Sequence, residues 1–560
     1  MRICLIGKYP PIQGGVSMHT YWYARALAER GHQCHVVTNA RDVETNFRLF
    51  MQEEDWARCE CSFENGGHVR VHWAEMTQRE SLHIPQTSMA VTRLAGNAIS
   101  VVEEFDIQCL FSYYFEPYSV AGWIASKVTS LPHIIKHAGS DIGRIAKVPI
   151  TRKVYMAALR EADVIVSRGQ VKSELENEGI DNKRFWTRDS FKVPAIFCST
   201  APALDVIELS EQARRSTEYS DRVFGSLLSA GPIIGAYGKL GERKGTFSLL
   251  ESAALLRSQG IDFSIAVLGS SFMDRDQRFR GLISELGLSD RVLQLPFIPH
   301  WRVPEFIRTC RCVVFLENNF PIKHHAPTIP REVLACGIPL VCSEEVLVRQ
   351  PFSRLLVDNV NCISIANVTD AAELAKRLAE ALADAPRLTA IGVAGRRVSE
   401  LHESQIDFPG NYESLFQGVV EGDDKRRGKS IGSGDSSTGP ADDLAAGTAE
   451  SVARHRLYRC PERYASIVRG GNLGPLWIPC IDTGIEWDDN TIVSGIASSG
   501  GGRFRVQVSN GIRDILGLVD GKRSVSEICD LLSERTKHTS DRVRNAIHDL
   551  FLEGLIKFIV

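Results

Sequence analysis

Apolar positions along the chain recur in a fixed order: short runs of strand length, each followed by a stretch with helical period. Residues 2–7 read as a strand, 17–30 as an amphipathic helix closed by Gly31, and 34–38 as a second strand, which together make a βαβ unit. Residues 41–95 read as polar loop with an occasional strand, notably 69–73, and suggest no chemistry. From Asp106 the alternation resumes, with strands at 107–112, 133–137 and 164–167 and helices at 119–128 and 151–161. It loosens between about 195 and 229, where a hinge is expected. A second series then begins, with strands at 233–237, 264–268, 292–296 and 312–316 and helices at 246–258, 303–310 and 371–382. Strands alternating with helices in this way predict parallel sheets covered on both faces.

The turns between these elements carry the candidate chemistry. Residues 320–344 read F-P-I-K-H-H-A-P-T-I-P-R-E-V-L-A-C-G-I-P-L-V-C-S-E. Here Thr328 can cap a helix whose first turn tolerates Pro330, Gly337 ends it before Pro339, and 338–341 is a buried strand-like run. The free N–H groups at the start of that helix, around Thr328 and Ile329, face any anion that docks there. Glu332, in the first turn, either complements the helix dipole or accepts paired hydroxyls from a ribose. Gly14 and Gly15 lie between the first strand and its helix, where a missing Cβ lets backbone N–H groups approach a phosphate. Lys239 and Lys244 bracket a glycine-bearing loop after the strand at 233–237, and both can reach one diphosphate. The segment Lys136-His137-Ala138-Gly139-Ser140-Asp141 follows a strand's carboxyl end, where ligands gather in open parallel sheets. His137 is either a structural histidine or a hydrogen-bonding partner for a sugar or acceptor hydroxyl. Tyr113, Tyr114 and Glu116 end the preceding strand and are candidates for an acceptor cleft.

Composition narrows the class. A chain of 560 residues is too long for one core and suggests about three domains. With 24% charged and 44% hydrophobic residues and a formal net charge of -3, it has an ordinary soluble composition, without the positive field that nucleic acid needs. The 14 cysteines are scattered, and the pairs Cys59/Cys61 and Cys310/Cys312 have the wrong spacing for a zinc knuckle, so no metal is expected. Cys4, Cys34 and Cys342 sit inside apolar runs as small core residues, which fits a reducing cytoplasm. The start of the chain lacks a signal-peptide layout, and no apolar run is long enough to span a bilayer.

The stretch at 320–344 resembles the donor-site signature of retaining glycosyltransferases of family four, two-domain enzymes with the GT-B fold. In that family a Glu, seven residues and a second Glu lead into an Ala, a Gly-x-Pro turn and a buried strand. Glu332, Ala335, Gly337, Pro339 and Val341 match, whereas His324, followed by His325, stands where the family has its first Glu. The resemblance covers about the first three quarters of the chain. It implies an α/β fold of two Rossmann-like domains, 1–205 on the acceptor side and 206–420 on the nucleotide-sugar side. It also implies donor contacts at Gly14, Gly15, Phe297, Ile298, His324, Thr328 and Ile329, with the backbone around Phe297 holding the base. The family's loop has a basic residue, usually Arg, then Lys five positions later, and Lys239 and Lys244 fill those places. His137 falls in a turn like one that lies near the reacting sugar, and 393–420 resembles the helices that cross back onto the first domain. The implied reaction is transfer of a sugar with retention, without metal or cofactor beyond the nucleotide-sugar co-substrate. Catalytic roles would fall to His137, Lys239, Lys244 and Glu332. A sugar-binding or assembly protein that has lost turnover is the alternative raised by His324.

At Glu421 the composition shifts to Gly, Ser, Asp and Lys/Arg, and 421–450 reads as a disordered linker. Its basic cluster at 425–429 is either a solvated tether or a peripheral contact with an anionic membrane surface. Residues 451–502 are irregular, with Trp477 and Trp487 suggesting some packing. The tail is patterned again, with helices at 512–518, 524–532 and 540–552 and a strand at 555–560. The words Leu516-Gly517-Leu518-Val519-Asp520-Gly521, Ser524-Val525-Ser526-Glu527-Ile528 and Leu550-Phe551-Leu552-Glu553-Gly554-Leu555-Ile556 resemble the small winged-helix-like PqqD family, which binds leader peptides. Residues 451–560 are therefore expected to form a PqqD-like α+β domain whose partner is a peptide acceptor or its leader. The alternatives are assembly within polysaccharide or lipid-linked glycan synthesis, dimerisation, or DNA binding, which the mixed charges disfavour.

Overall fold

The computed structural model describes residues 1–74, 86–189, 191–200, 202–227, 231–321 and 326–431, and beyond them 466–468, 486–487, 492–496, 503–507, 531 and 557–559. The first half runs β1 (Arg2–Gly7), α1 (Gly15–Glu29), β2 (Gln33–Thr38), α2 (Glu53–Ala57), β3 (Cys61–Ser62), β4 (His68–Trp73) and α3 (Gln86–Phe105). It continues with β5 (Cys109–Tyr113), α4 (Val120–Thr129), β6 (His133–Lys136), α5 (Gly139–Gly143), α6 (Pro149–Glu161), β7 (Val164–Val166), α7 (Gly169–Asn177) and β8 (Phe185–Trp186). The second half comprises α8 (Val206–Arg215), β9 (Phe224–Gly225), β10 (Ile233–Tyr237), α9 (Thr246–Ser258), β11 (Ser264–Leu268), α10 (Met273–Glu285), β12 (Val292–Leu295) and α11 (Val303–Thr309). It closes with β13 (Cys312–Phe315), α12 (Ile329–Ala335), β14 (Leu340–Ser343), α13 (Glu344–Val348), β15 (Ile363–Ile365), α14 (Ala371–Ala383), α15 (Ala385–Glu403) and α16 (Phe408–Ile431).

Two sheets result, ordered β3-β4-β2-β1-β5-β6-β7-β8 and β15-β14-β13-β10-β11-β12-β9. Pairing is parallel except at the edges, where β3 runs antiparallel to β4 and β9 to β12. The central strands are buried on both faces, as their unbroken apolar sequences require, with Ile3, Leu5, Ile234, Ile265 and Val341 fully or almost fully out of solvent. This is the expected α/β arrangement of two Rossmann-like halves.

Several regions differ from the sequence expectation. Residues 41–95 hold α2 and the start of the long helix α3. Segment 46–56 also packs on the second half: Phe50 is buried in the same cluster as Leu295 and Phe306, and its N–H donates to the Phe297 carbonyl at 2.7 Å. Its polar look reflects an interface with another part of the chain, which leaves no local period. Helices α7 and α10 were not anticipated; α10 buries only Asp276, Phe279 and Ile283, too narrow a stripe to stand out. Finally, α16 continues past Glu421 to Ile431, since the Asp-Asp-Lys-Arg-Arg run is compatible with helix despite its linker-like composition.

The return crossing is as expected. Phe408, Tyr412, Leu415, Phe416 and Val419 of α16 are buried in one cluster with Ile3, Leu5, Tyr23 and Phe111 of the first half. Each such side chain contributes about 2 kcal/mol of apolar burial. Polar contacts fix its position: buried Lys136 ion-pairs with Asp189 and donates to the Tyr412 hydroxyl at 3.1 Å, and that hydroxyl donates to Asp189 at 2.8 Å.

The α/β part, Met1–Met76 with Ala90–Ser430, forms one compact unit, and the described tail strands belong to another. In the tail, β16 (Ser466–Val468) pairs antiparallel with β20 (Lys557–Ile559), while β17 (Glu486–Trp487), β18 (Ile492–Ile496) and β19 (Arg503–Gln507) make an antiparallel sheet. Thus the strand expected at 555–560 is present, and the stretch read as irregular carries strands. The helices expected at 512–518, 524–532 and 540–552 lie outside the described residues apart from helical Leu531, as does the linker beyond Ile431.

Candidate active site

Loops that follow strand carboxyl ends in the two sheets face each other across a cleft where the halves meet, the loop after β10 against those after β1 and β6. On the first-half wall, β1 leads to Lys8 and the Gly14-Gly15 turn, β5 to Tyr114, and β6 to His137. Gly14 stands before α1 with φ 125, a backbone region that a side chain strains, and a Cβ on either glycine would meet nothing within 4 Å. Beside it, the Gln13 N–H donates to the Phe47 carbonyl at 2.7 Å, and the Phe47 ring centroid lies 5.2 Å from Lys239 Nζ on the opposite wall. The glycine turn and the lysine loop are therefore neighbours.

Further along the first wall, Lys8 Nζ lies 4.6 Å from the centroid of the Tyr114 ring, and Tyr114 holds φ 89, a strained value for a bulky residue. Ser140 Oγ donates to the Tyr114 hydroxyl at 3.1 Å. Asp141, fully buried, accepts from the N–H groups of Ala138 at 2.8 Å and Phe115 at 3.3 Å, which ties the β5 and β6 turns together. Burial pushes its carboxyl up to about 7, against the opposing pull of those two N–H groups and of Lys8 and Arg144.

Lys239 is exposed as a residue, yet its amine is crowded by both walls. Desolvation there, then the like charges of Lys8, Lys244 and Arg144, lower its pKa to about 8. Lys244 ion-pairs with Glu317, a fully buried acid just past β13, and lies 4.3 Å from the centroid of the Phe320 ring. Four cations thus converge on the cleft from two walls, two from each.

Glu332 sits in the first turn of α12 and is only 2% exposed. Its Oε1 accepts from His300 Nε2 at 3.0 Å and its Oε2 from the Tyr237 hydroxyl at 2.6 Å. Burial alone would raise its pKa, but the neighbouring His300 and hydrogen bonds from His300, Tyr237 and Thr328 outweigh it and hold the carboxyl below the usual range. Three donors leave about one of a carboxylate's four acceptor sites available. The Nδ1 of His300 in turn accepts from Trp22 Nε1 at 2.9 Å, so the first half reaches Glu332 through one imidazole.

The other expected site residues fall as follows. His137 accepts or donates through Nε2 to Ser167 Oγ at 2.9 Å, while its Nδ1 is buried without a hydrogen-bond partner among the described residues. Burial lowers its pKa to about 4, so it is neutral at pH 7. Phe297 and Ile298 are buried at 6% and 4%, and the Phe297 carbonyl is already taken by Phe50. Thr328 has helical backbone angles and makes no side-chain cap; its hydroxyl turns to Glu332 instead. Ile329 lies against the Lys239 loop, its Cδ1 3.5 Å from where a Cβ on Gly238 would stand. Tyr113 turns into the core, bonding His19 at 3.2 Å, and does not line the cleft. Glu116 accepts from the Tyr155 hydroxyl at 3.2 Å, and burial raises its pKa. His324 lies outside the described residues. Sequence reasoning missed Lys8, Glu317, His300 and Trp22. Only Glu317 had a signal, a lone acid closing the apolar run of β13.

Known proteins share the fold. Residues 14–184 match the glycosyl transferase 4-like domain, and residues 223–398 match glycosyl transferases group 1. In class, then, the α/β part is a GT-B fold in which each half matches a glycosyltransferase domain family. Among solved structures, sucrose-phosphate synthase from Thermosynechococcus elongatus has a TM-score of 0.51 at 15% identity, covering 75% of this chain and 100% of that one. HepE of Anabaena in complex with UDP-glucose has a TM-score of 0.49 at 14% identity, covering 74% of this chain and 99% of that one. Among curated proteins, the 2-deoxystreptamine glucosyltransferase of Streptomyces kanamyceticus is 30% identical over 95 residues, 17% of this chain. That stretch spans only 24% of the enzyme's own length.

Proposed function

We propose that this chain transfers a sugar from a nucleotide-sugar donor, with retention at the anomeric carbon, and that the donor lies in the cleft between the two α/β halves. The observation that carries this reading is the convergence of Lys239, Lys244, Lys8 and Arg144, where burial first and then the like charges lower the Lys239 pKa to about 8. Such mutual repulsion is relieved by an anion of high charge, as a diphosphate is. Lys239 and Lys244 bind the diphosphate, the turn at Gly14 and Gly15 closes over it, and Glu332 offers its remaining acceptor site to a ribose hydroxyl. His137 is held neutral and offers one ring nitrogen to a sugar or acceptor hydroxyl.

In the proposed step the acceptor hydroxyl attacks the anomeric carbon from the face the nucleotide leaves. The bond from that carbon to the phosphate oxygen breaks, and a leaving phosphate oxygen takes the acceptor's proton. The rate gain comes from positioning and from stabilising charge on the departing diphosphate. The acceptor proposed is a ribosomally made peptide, brought by residues 451–560 acting as a PqqD-like domain; the tail's edge strands suit addition of an extended peptide. Cytoplasmic placement belongs to the same proposal.

The test is a thermal-shift screen of UDP-, GDP- and ADP-linked sugars on the full chain, followed by donor hydrolysis and transfer assays with the donor that stabilises most. Stabilisation and turnover by one donor support the reading. Stabilisation without hydrolysis or transfer favours a sugar-binding protein, and no stabilisation by any donor refutes the donor site.

A further inference from the structure

One helix of the first half meets the proposed donor site at two places. Its N-terminus carries the Gly14-Gly15 turn, and Trp22 lies seven residues further on, about two turns of helix, so on the same face. From there Trp22 Nε1 donates to His300 Nδ1 at 2.9 Å, across to the loop after β12. A neutral imidazole has one donor and one acceptor nitrogen. Accepting at Nδ1 therefore fixes the proton on Nε2, and Nε2 is the atom 3.0 Å from Glu332 Oε1. The ring is further held by Phe197, 4.8 Å between centroids. The adjacent residue repeats the bridge in the opposite sense: Trp301 Nε1, from the second half, donates to Asp55 Oδ1 of the first at 2.8 Å.

We infer that His300 is a positioning residue for Glu332, and that the Trp22–His300–Glu332 chain reports closure of the two halves to the donor site. When α1 is seated, the imidazole is locked as a donor to Oε1 and the carboxylate presents its remaining acceptor site in one orientation. When α1 withdraws, His300 loses the partner that sets its tautomer, and Glu332 loses a fixed donor. Because the same helix carries the glycine turn, the motion that brings backbone N–H groups over the diphosphate also sets the carboxylate. This inference rests on the donor-site reading above and adds to it how the site is completed.

The experiment compares Trp22→Phe, which removes the N–H while keeping an aromatic ring, with His300→Leu, His300→Gln and Glu332→Ala in the full chain. Dissociation constants are measured by calorimetry for UDP, GDP and ADP, and kcat and KM are measured for hydrolysis of the stabilising sugar nucleotide. Melting temperatures report folding. Trp22→Phe is expected to weaken nucleotide binding about three- to tenfold, the worth of one hydrogen bond, with KM raised more than kcat is lowered. His300→Leu should do at least as much, and His300→Gln, which keeps an N–H toward Glu332, should recover part of it. Adding Trp22→Phe to His300→Leu should then cost nothing further. Unchanged binding in Trp22→Phe and His300→Leu, or additive losses in the double variant, would overturn the relay while loss of binding in Glu332→Ala leaves the donor site standing. Wild-type binding in Glu332→Ala would remove the donor-site reading and the relay together.

Discussion

Replacing Arg331 by methionine tests how the two crossings between the halves are held. Arg331, one residue before Glu332, donates to Glu403 Oε1 through Nε at 2.9 Å and Nη2 at 2.6 Å, and to the Phe191 carbonyl at 2.5 Å. Glu403 Oε2 accepts from the Val193 N–H at 2.9 Å. Phe191 and Val193 belong to the chain leaving the first half, and Glu403 ends α15 just before the chain returns. One buried ion pair therefore ties the outgoing chain, the returning helix and the helix of Glu332. Arg331 is 8% exposed and Glu403 7%, so solvent does little to screen them. Arg331→Met leaves the Glu403 carboxylate buried with only the Val193 N–H, a loss of about 3–5 kcal/mol. At about 1 °C per kcal/mol for a body of this size, the apparent melting temperature should fall by roughly 3–6 °C. Arg331→Met with Glu403→Leu removes both charges and should recover most of that fall, because an apolar pair of similar volume is close to neutral. Differential scanning calorimetry on the four proteins completes the cycle, with limited proteolysis between residues 187 and 205 as the local readout. A fall under about 2 °C in the single variant, or a double variant no more stable than the worse single, would refute the claim that this pair holds the hinge.

Lys239→Ala is expected to reduce kcat/KM for the donor roughly a hundredfold without lowering the melting temperature, since it relieves repulsion; unchanged kinetics would place it outside the site. Lys244→Ala should lose both activity and stability because Glu317 is left buried without its cation, and Lys244→Ala with Glu317→Gln should regain stability but not activity. Asp141 binds a proton more tightly folded, near pH 7, than its ordinary value of 3.8, so the native state loses stability as pH rises between about 4 and 7, by about 4 kcal/mol at most. Asp141→Asn should flatten that slope in thermal melts and be more stable than the native chain at pH 8, and an unaltered slope would contradict the assignment. Removal of residues 432–560 should leave donor hydrolysis intact, as the α16 residues that pack on the first half, Phe408 to Val419, are kept, while raising KM for a peptide acceptor; unchanged transfer would remove the recruitment role of the tail.

The α/β alternation was legible in the sequence because its signals are local. Apolar runs such as 233–237 and 264–268 have strand length, and both appear with those limits as β10 and β11. Helix α9 likewise follows its expected span, with Gly245 before it in the left-handed region at φ 67. Placement of Gly14, Gly15 and Lys239 after the carboxyl ends of β1 and β10, and of Glu332 in the first turn of α12, follows from the same reading. Tertiary structure alone decided which of these residues meet. The links Trp22 to His300, Phe50 to Phe297, Arg331 to Glu403 and Lys136 to Asp189 join residues far apart in sequence, and no period or cap marks either partner. Their chemistry comes from burial and from one specific neighbour: Glu332 is a dipole-complementing acid by its position in the helix, and becomes a buried, triply bonded carboxylate only because β10 and the β12 loop bring Tyr237 and His300 against it.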